Sequence, residues 1–237
     1  MTSSKVISKG PCEACGSSDA NVLYEDNHSY CFSCQTYSKG DTMATMPDNR
    51  QPPVKGVYQN HFTEGTYQAL TDRKISENTC KFYGVTVRGD KHIYPYHDDS
   101  GSRVANKVRQ TTTKSFFVEG SLPPAKLFGQ HKFSNRGKFV TICEGELDAM
   151  SAFEMLGSKW PVLSVKSGAQ SALKDIKANY EYLNGFDNIV ICFDNDDHGK
   201  KAANQVAQVF EPNKCLIMKM SKKDANEYIK ANKREEF

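Results

Sequence analysis

No stretch of this 237-residue chain is apolar over anything near the roughly 20 residues needed to cross a bilayer. The opening MTSSKVISKG lacks the apolar centre of a signal peptide, so an intracellular protein is expected, with no membrane partner. Internal repeats and low-complexity tracts are also missing. Hydrophobic residues make up 38% and charged residues 25%, which excludes a disordered or fibrous chain. The length suits one large domain or two to three small ones.

What the chain does have is cysteine, unevenly placed. Four of its eight cysteines fall within the first 34 residues, while Cys80, Cys143, Cys192 and Cys215 are scattered through apolar segments. Clustered cysteines in an intracellular chain point to metal and scattered ones to buried thiols in a reducing compartment.

Charge is uneven too. Between Arg73 and Lys138 there are 13 Lys or Arg against 5 Asp or Glu, whereas from Phe139 onward 13 basic residues face 15 acidic ones. A basic middle beside an acidic C-terminal part joins a phosphate-binding surface to a cation-binding one, or is simply an unevenly charged solvated surface.

The pattern divides the chain into residues 1–40, rich in turn formers around the cysteines; a polar, proline-bearing linker at 41–57; a basic mixed α+β segment at 58–137; and an alternating strand–helix region at 138–237. In the basic segment, Ala69 to Phe82 is expected to be helical. Val85 to Val87, His92 to Tyr96 and Arg103 to Arg109 read as strands, with a hairpin turn at 100–102. Further on, strands are expected at 138–143, 161–165, 188–193 and 215–218. Helices are expected after the first, across Ala172 to Leu183, around Ala203 to Phe210, and across Ala225 to Lys230. Such alternation implies a largely parallel sheet covered by helices.

Cys12-x-x-Cys15 and Cys31-x-x-Cys34, fifteen residues apart, have the spacing of two knuckles closing one tetrahedral zinc site. A module of some 35 residues needs such a staple. Two disulfides or a redox pair are the competing readings. Asp26, His28 and Tyr30 alternate before the second pair, so a strand there puts them on one face, either a base-reading surface or an ordinary one.

Two acidic segments follow apolar strands: Glu144-Gly145-Glu146-Leu147-Asp148 and Asp194-Asn195-Asp196-Asp197. In a parallel sheet both strand ends lie on the edge where open α/β folds bind ligands. Oxygen ligands with open positions suit Mg²⁺ or Mn²⁺. Helix capping by Glu144 and Asp196 is the alternative, and accounts for one acid per helix rather than two clusters. Basic partners are at hand: Lys107 and Arg109 share a strand face, Lys114 follows in a polar turn, and Lys200 and Lys201 open a helix, where the macrodipole disfavours them.

The two constellations in this order, with ICEGELDAM, CFDNDDHGKKA, GTYQALTDRKISENTC, NKVR and KDANEY, resemble the primase half of the short bacteriophage primase–helicase proteins over nearly the whole chain. The resemblance implies an α/β protein: a small zinc ribbon, a linker, then a catalytic core with a basic α+β subdomain and a TOPRIM parallel-sheet subdomain. It implies Glu144, Asp194 and Asp196 as the main metal-binding acids, joined by Glu146 and Asp148 and by Asp224 and Asn226. Lys107 and Lys114 are implied at nucleotide phosphates or template, Lys114 with a one-residue shift in local spacing. Arg109, Lys200, Lys201 and Asn226 are taken as nucleotide- or DNA-binding, and Asp26 and His28 as template-reading, although Asn27 replaces the usual glycine.

The implied activity is synthesis of short RNA primers from NTPs on single-stranded DNA, in the cytoplasm of an infected bacterial host. One structural Zn²⁺ and catalytic Mg²⁺ or Mn²⁺ are implied, with a replicative helicase, in the same polyprotein or a separate chain, and a DNA polymerase as partners. No G-x-x-x-x-G-K-[ST] phosphate loop is present, so helicase activity is not expected from these residues. A TOPRIM nuclease or topoisomerase and a non-catalytic DNA-binding adaptor are the rival readings.

Overall fold

The structure, a computed structural model, describes residues 5–39 and 62–237; the expected linker at 41–57 lies outside the described residues. The chain divides into two compact units, Met1–Val57 and Tyr58–Phe237. Among the described residues no helix is long and apolar enough to cross a membrane.

The first unit is a four-stranded antiparallel sheet in the order β1-β2-β3-β4: β1 Val6–Gly10, β2 Asn21–Tyr24, β3 Ser29–Cys31 and β4 Tyr37–Ser38. The strands are short and bury little besides Val22, Cys12 and Cys31. A core this small cannot hold the fold alone.

The second unit carries two further sheets. The antiparallel one runs β5 (Thr86–Arg88), β6 (Lys91–His97), β7 (Arg103–Gln110), β8 (Phe116–Gly120), in sequence order. The expected hairpin turn lies between β6 and β7, where Asp98 accepts from the amides of Ser100 and Ser102. β8 was not foreseen, because its Phe-Phe-Val run is exposed rather than alternating in and out. The helix expected from Ala69 to Phe82 is corrected. Residues Thr71–Arg73 make a 3₁₀ turn and only Glu77–Tyr83 is α-helical (α1), because Ser76 caps the helix by accepting from the Thr79 amide.

The parallel sheet has the order β10-β9-β11-β12, with β9 Gly137–Cys143, β10 Val162–Ser164, β11 Phe186–Cys192 and β12 Cys215–Ile217. All three pairings are parallel, and Cys143 lies opposite Cys192 in the central pair. Helices α2 (Glu146–Met155) and α6 (Ala225–Lys230) pack on one face. Helices α3 (Ala169–Ala178) and α5 (Asp197–Ala207) cover the other through Ala172, Ile176, Ala202 and Val206. Alternation along β9 divides its residues between the two cores, with Val140 and Ile142 to one and Cys143 to the other. The single helix expected from Ala172 to Leu183 is two, α3 and α4 (Tyr180–Asn184), broken at Asn179, whose side chain bonds back to the Asp175 carbonyl. This α/β architecture is the one expected from the sequence.

Candidate active site and metal centres

In the first unit the four cysteine sulfurs lie within 4.8 Å of one another. Cys12 Sγ is 3.7 Å from Cys34 Sγ, and Cys15 Sγ is 3.7 Å from Cys31 Sγ. Four sulfurs bound tetrahedrally at about 2.3 Å lie about 3.8 Å apart, whereas a disulfide brings them to about 2.0 Å. The spacing therefore fits one zinc ion and not a pair of disulfides. Each pair sits in the same turn. The Gly16 amide donates to the Cys12 carbonyl and the Gln35 amide to the Cys31 carbonyl, both at 2.8 Å, with Gly16 and Gln35 in the left-handed region. Hydrogen bonds from Thr36 hold the Cys34 thiol down at about 6. Against the backbone hydrogen bond from Cys15, burial and the neighbouring sulfurs push Cys12 up to about 11, so one thiol of the cluster is readily deprotonated and another is not.

The strand expected to align Asp26, His28 and Tyr30 is corrected: β3 begins at Ser29, and Asp26 and Asn27 occupy the turn after β2. Asn27 adopts φ 61°, a conformation asparagine tolerates, which explains how it stands where the resemblance has glycine. Asp26 and His28 still meet, through a bond between Asp26 Oδ1 and His28 Nδ1. The His28 ring stacks on Tyr24, with centroids 4.3 Å apart.

In the second unit the ends of β9 and β11 bring Glu144 and Asp194 together. The Glu144 carboxylate accepts from the Ala169 amide at 3.1 Å and from the Asp194 amide at 3.4 Å, so one side chain ties the start of α3 to the end of β11. Asp196 caps α5 by accepting from the Gly199 amide at 2.9 Å, a bond that holds its carboxyl below the usual range. Gly199 itself is required by contact: a Cβ there would lie 2.2 Å from the Asp194 carbonyl oxygen. Asp224 caps α6, accepting from Glu227, and Asp148 accepts from the Asn226 amide at 3.2 Å.

These acids repel one another. Burial first, then Glu144 and Asp224, push Asp194 up to about 6 against the pull of Lys223, whose Nζ is 3.8 Å away. Asp148 is driven well above the carboxylate range by burial, Asp224 and Asp194. Capping accounts for Asp196 and Asp224, and the first turn of α2 with the Asn226 amide for Asp148, but not for the half-buried Asp194 beside them. A divalent cation at this edge would relieve that repulsion, and carboxylate oxygens are donors that suit Mg²⁺ or Mn²⁺.

Glu146 is turned away from this group. It is 4% exposed, pairs with Lys107 Nζ at 2.9 Å and accepts from the Tyr96 hydroxyl at 2.6 Å. Asn226 is also placed otherwise than expected: its side-chain amide donates to the Arg73 carbonyl and to Ser151 Oγ at 3.0 and 2.9 Å, so it ties α6 to its neighbours rather than facing a ligand. Arg109 lies beside Lys107 on one face of β7, opposite His92 of β6 and Phe116 of β8. Lys114 is exposed in the turn between β7 and β8, and Lys200 and Lys201 are exposed on α5, where Asp196 and Asp197 offset the helix dipole. Lys223, Lys166 and Tyr96 were not singled out from the sequence. Lys166 donates to the Ala125 carbonyl at 2.9 Å and pairs with Asp175, while its own carbonyl accepts from Lys107.

A Toprim-like family profile matches residues 141–229, and the N-terminal α+β fold of bacteriophage T7 DNA helicase/primase matches residues 65–120. The chain is similar to the crystal structure of the primase fragment of the bacteriophage T7 primase–helicase protein, at 36% identity over 98% of each chain and a TM-score of 0.68. The chain belongs to the phage primase–helicase family, in its primase part. It is 38% identical to the DNA helicase/primase of Enterobacteria phage T3 over 92% of its own length, and spans 40% of that relative. A third match is to T7 primase domains bound to an RNA/DNA hybrid and dTTP, in contact with the T7 lagging-strand DNA polymerase. It has 38% identity over 73% of this chain and 89% of that one, with a TM-score of 0.67.

Proposed function

We propose that this primase-family chain synthesises short RNA primers from NTPs on single-stranded DNA during phage replication in the host cytoplasm. The observation that carries the proposal is the meeting of Glu144 and Asp194 at paired strand ends, where burial, Glu144 and Asp224 raise the Asp194 pKa and Asp194 in turn helps to raise that of Asp148. Such a set is unfavourable without a cation and is suited to holding one.

Glu144, Asp194 and Asp196, with Asp148 and Asp224 around them, hold the divalent ion. When bound, that ion supplies neutralisation of triphosphate charge and activation of the attacking 3′-hydroxyl. Lys107, Lys114, Arg109, Lys200 and Lys201 supply the positive charge that positions phosphates and template. Cys12, Cys15, Cys31 and Cys34 hold a structural zinc ion, and Asp26 and His28, fixed against each other beside Tyr24, read the template. A replicative helicase and a DNA polymerase are the expected partners.

The test is incubation of the chain with varied single-stranded DNA templates, labelled NTPs and Mg²⁺. The proposal expects short template-dependent oligoribonucleotides and their loss in Asp194→Ala with the fold retained. Degradation of the DNA without extension assigns a nuclease instead, and full activity of Asp194→Ala removes that residue from the mechanism.

A further inference from the structure

Phe116 and Arg109 occupy facing positions on β8 and β7, at the open edge of the antiparallel sheet. Phe116 is 51% exposed although it is a large apolar ring, and the next two residues of the edge strand, Phe117 and Val118, are exposed as well. Three successive apolar residues on this edge are not explained by packing among the described residues.

Cations lie beside these rings. Arg109 Cζ is 5.8 Å and Lys107 Nζ 5.1 Å from the Phe116 centroid, while Lys91 Nζ is 5.7 Å from the Phe117 centroid on the other face. Lys107 is already paired with Glu146. Arg109 is in a different position: it is only 7% exposed, and its Nε and Nη1 are buried without a hydrogen-bond partner among the described residues. A buried guanidinium with idle donors is costly unless an anion completes it. An exposed ring above an uncompensated cation matches a base joined to its phosphate. On the Arg109 face the apolar edge continues from Phe116 to Val118, roughly 7 Å along the strand, past the position that a single base would take.

We infer that Phe116 and Arg109 form a subsite for one nucleotide of single-stranded nucleic acid, its base stacked on the Phe116 ring and its phosphate accepting from Arg109. The inference rests on the primase reading for the identity of the strand as template, but the subsite's chemistry stands on its own residues.

The experiment measures binding of the full chain, in Mg²⁺ buffer, to a fluorescent twelve-residue oligothymidylate and to the same strand with abasic positions, which keep the phosphates and lose the bases. Phe116→Ala should weaken binding of the normal strand by about five- to a hundred-fold, the range expected from stacking of one base on one ring. It should leave abasic-strand binding unchanged. Phe116→Trp should restore normal-strand binding and Phe116→Leu should not. Arg109→Gln, checked for folding by its melting curve, should lower the slope of log affinity against log salt by about one for the lost phosphate contact.

Equal weakening on both strands, or restoration by leucine, overturns the stacking role. The same dependence seen for ATP but not for the oligonucleotide overturns the choice of strand. Primer synthesis by the unmodified chain is scored separately: if primers form and Phe116→Ala binds normally, the subsite is wrong and the primase reading stands. If no primers form but strand binding depends on Phe116, the subsite stands and the primase reading falls.

Discussion

Lys107 and Glu146 form an ion pair at 2.9 Å across the junction of the antiparallel and parallel sheets, with Glu146 almost fully enclosed. Glu146 also accepts from Tyr96, and Lys107 also donates to the Lys166 carbonyl. Two of the three ammonium donors are thereby committed, which fixes where the third points and what it can offer a phosphate.

Removing one member of this pair strands the other charge. Lys107→Met is expected to cost about 3–5 kcal/mol of stability, and Lys107→Met with Glu146→Gln less than Lys107→Met alone. Urea denaturation of the two single variants and the double variant measures the coupling. Additive losses would show that the pair does not act as a unit.

Gly199→Ala tests the contact between α5 and the β11 end. The added methyl would meet the Asp194 backbone, which cannot yield without moving the carboxylate. A loss of about 1–3 kcal/mol is expected, with primer synthesis falling further than stability alone accounts for. Unchanged kcat and melting temperature would mean that the backbone gives way there.

Acid should destabilise the second unit through His131. Its ring lies 3.6 Å, centroid to centroid, from that of His97, and burial, His97 and Lys132 hold it down at about 4 from 6.5. Below pH 6.5 the unfolded chain takes up a proton that the native state refuses until about pH 4. The stability contributed by the neutral ring is therefore full above that window and is lost as pH falls through it. His131→Gln should flatten the dependence by on the order of 1–3 kcal/mol across the window. Denaturant midpoints at a series of pH values check it; parallel curves for the two proteins would exclude His131 as the source.

Chelation should unfold the ribbon alone. With zinc removed, Cys12, Cys15, Cys31 and Cys34 should become reactive to a thiol reagent, while Cys80, Cys143 and Cys192 stay protected in the second unit. A gain of reactivity confined to the ribbon thiols, reversed by added zinc, with the half-buried Cys215 reacting alike in both states, is the expected readout; insensitivity to chelator would remove the metal from the fold's support.

Much of this was legible in the residues. The cysteine spacing anticipated the clustering of the four sulfurs because knuckle geometry is local, and NIVICF anticipated a central strand because a parallel strand buried on both faces reads as unbroken apolar sequence. Glu144 and Asp194 could be placed together because parallel strands share an end. What escaped depended on partners distant in sequence. Nothing local in Glu146 says that it turns from the acidic group toward Lys107 and Tyr96, and Asn226 looks like a ligand until Arg73 and Ser151 are seen to occupy its amide. The edge strand β8 escaped because its apolar run is exposed, contrary to the alternation that marks strands. Lys223 carried one usable signal, its place directly before Asp224.

The central claim is that Glu144 and Asp194 grip a divalent ion between neighbouring strand ends. Its most direct test is Mn²⁺ titration of the zinc-loaded chain followed by electron paramagnetic resonance, comparing the unmodified protein, Asp194→Asn and Asp187→Asn, an exposed control on β11. The account expects Mn²⁺ binding by the unmodified chain and the control and its loss in Asp194→Asn; equal binding by all three would contradict it.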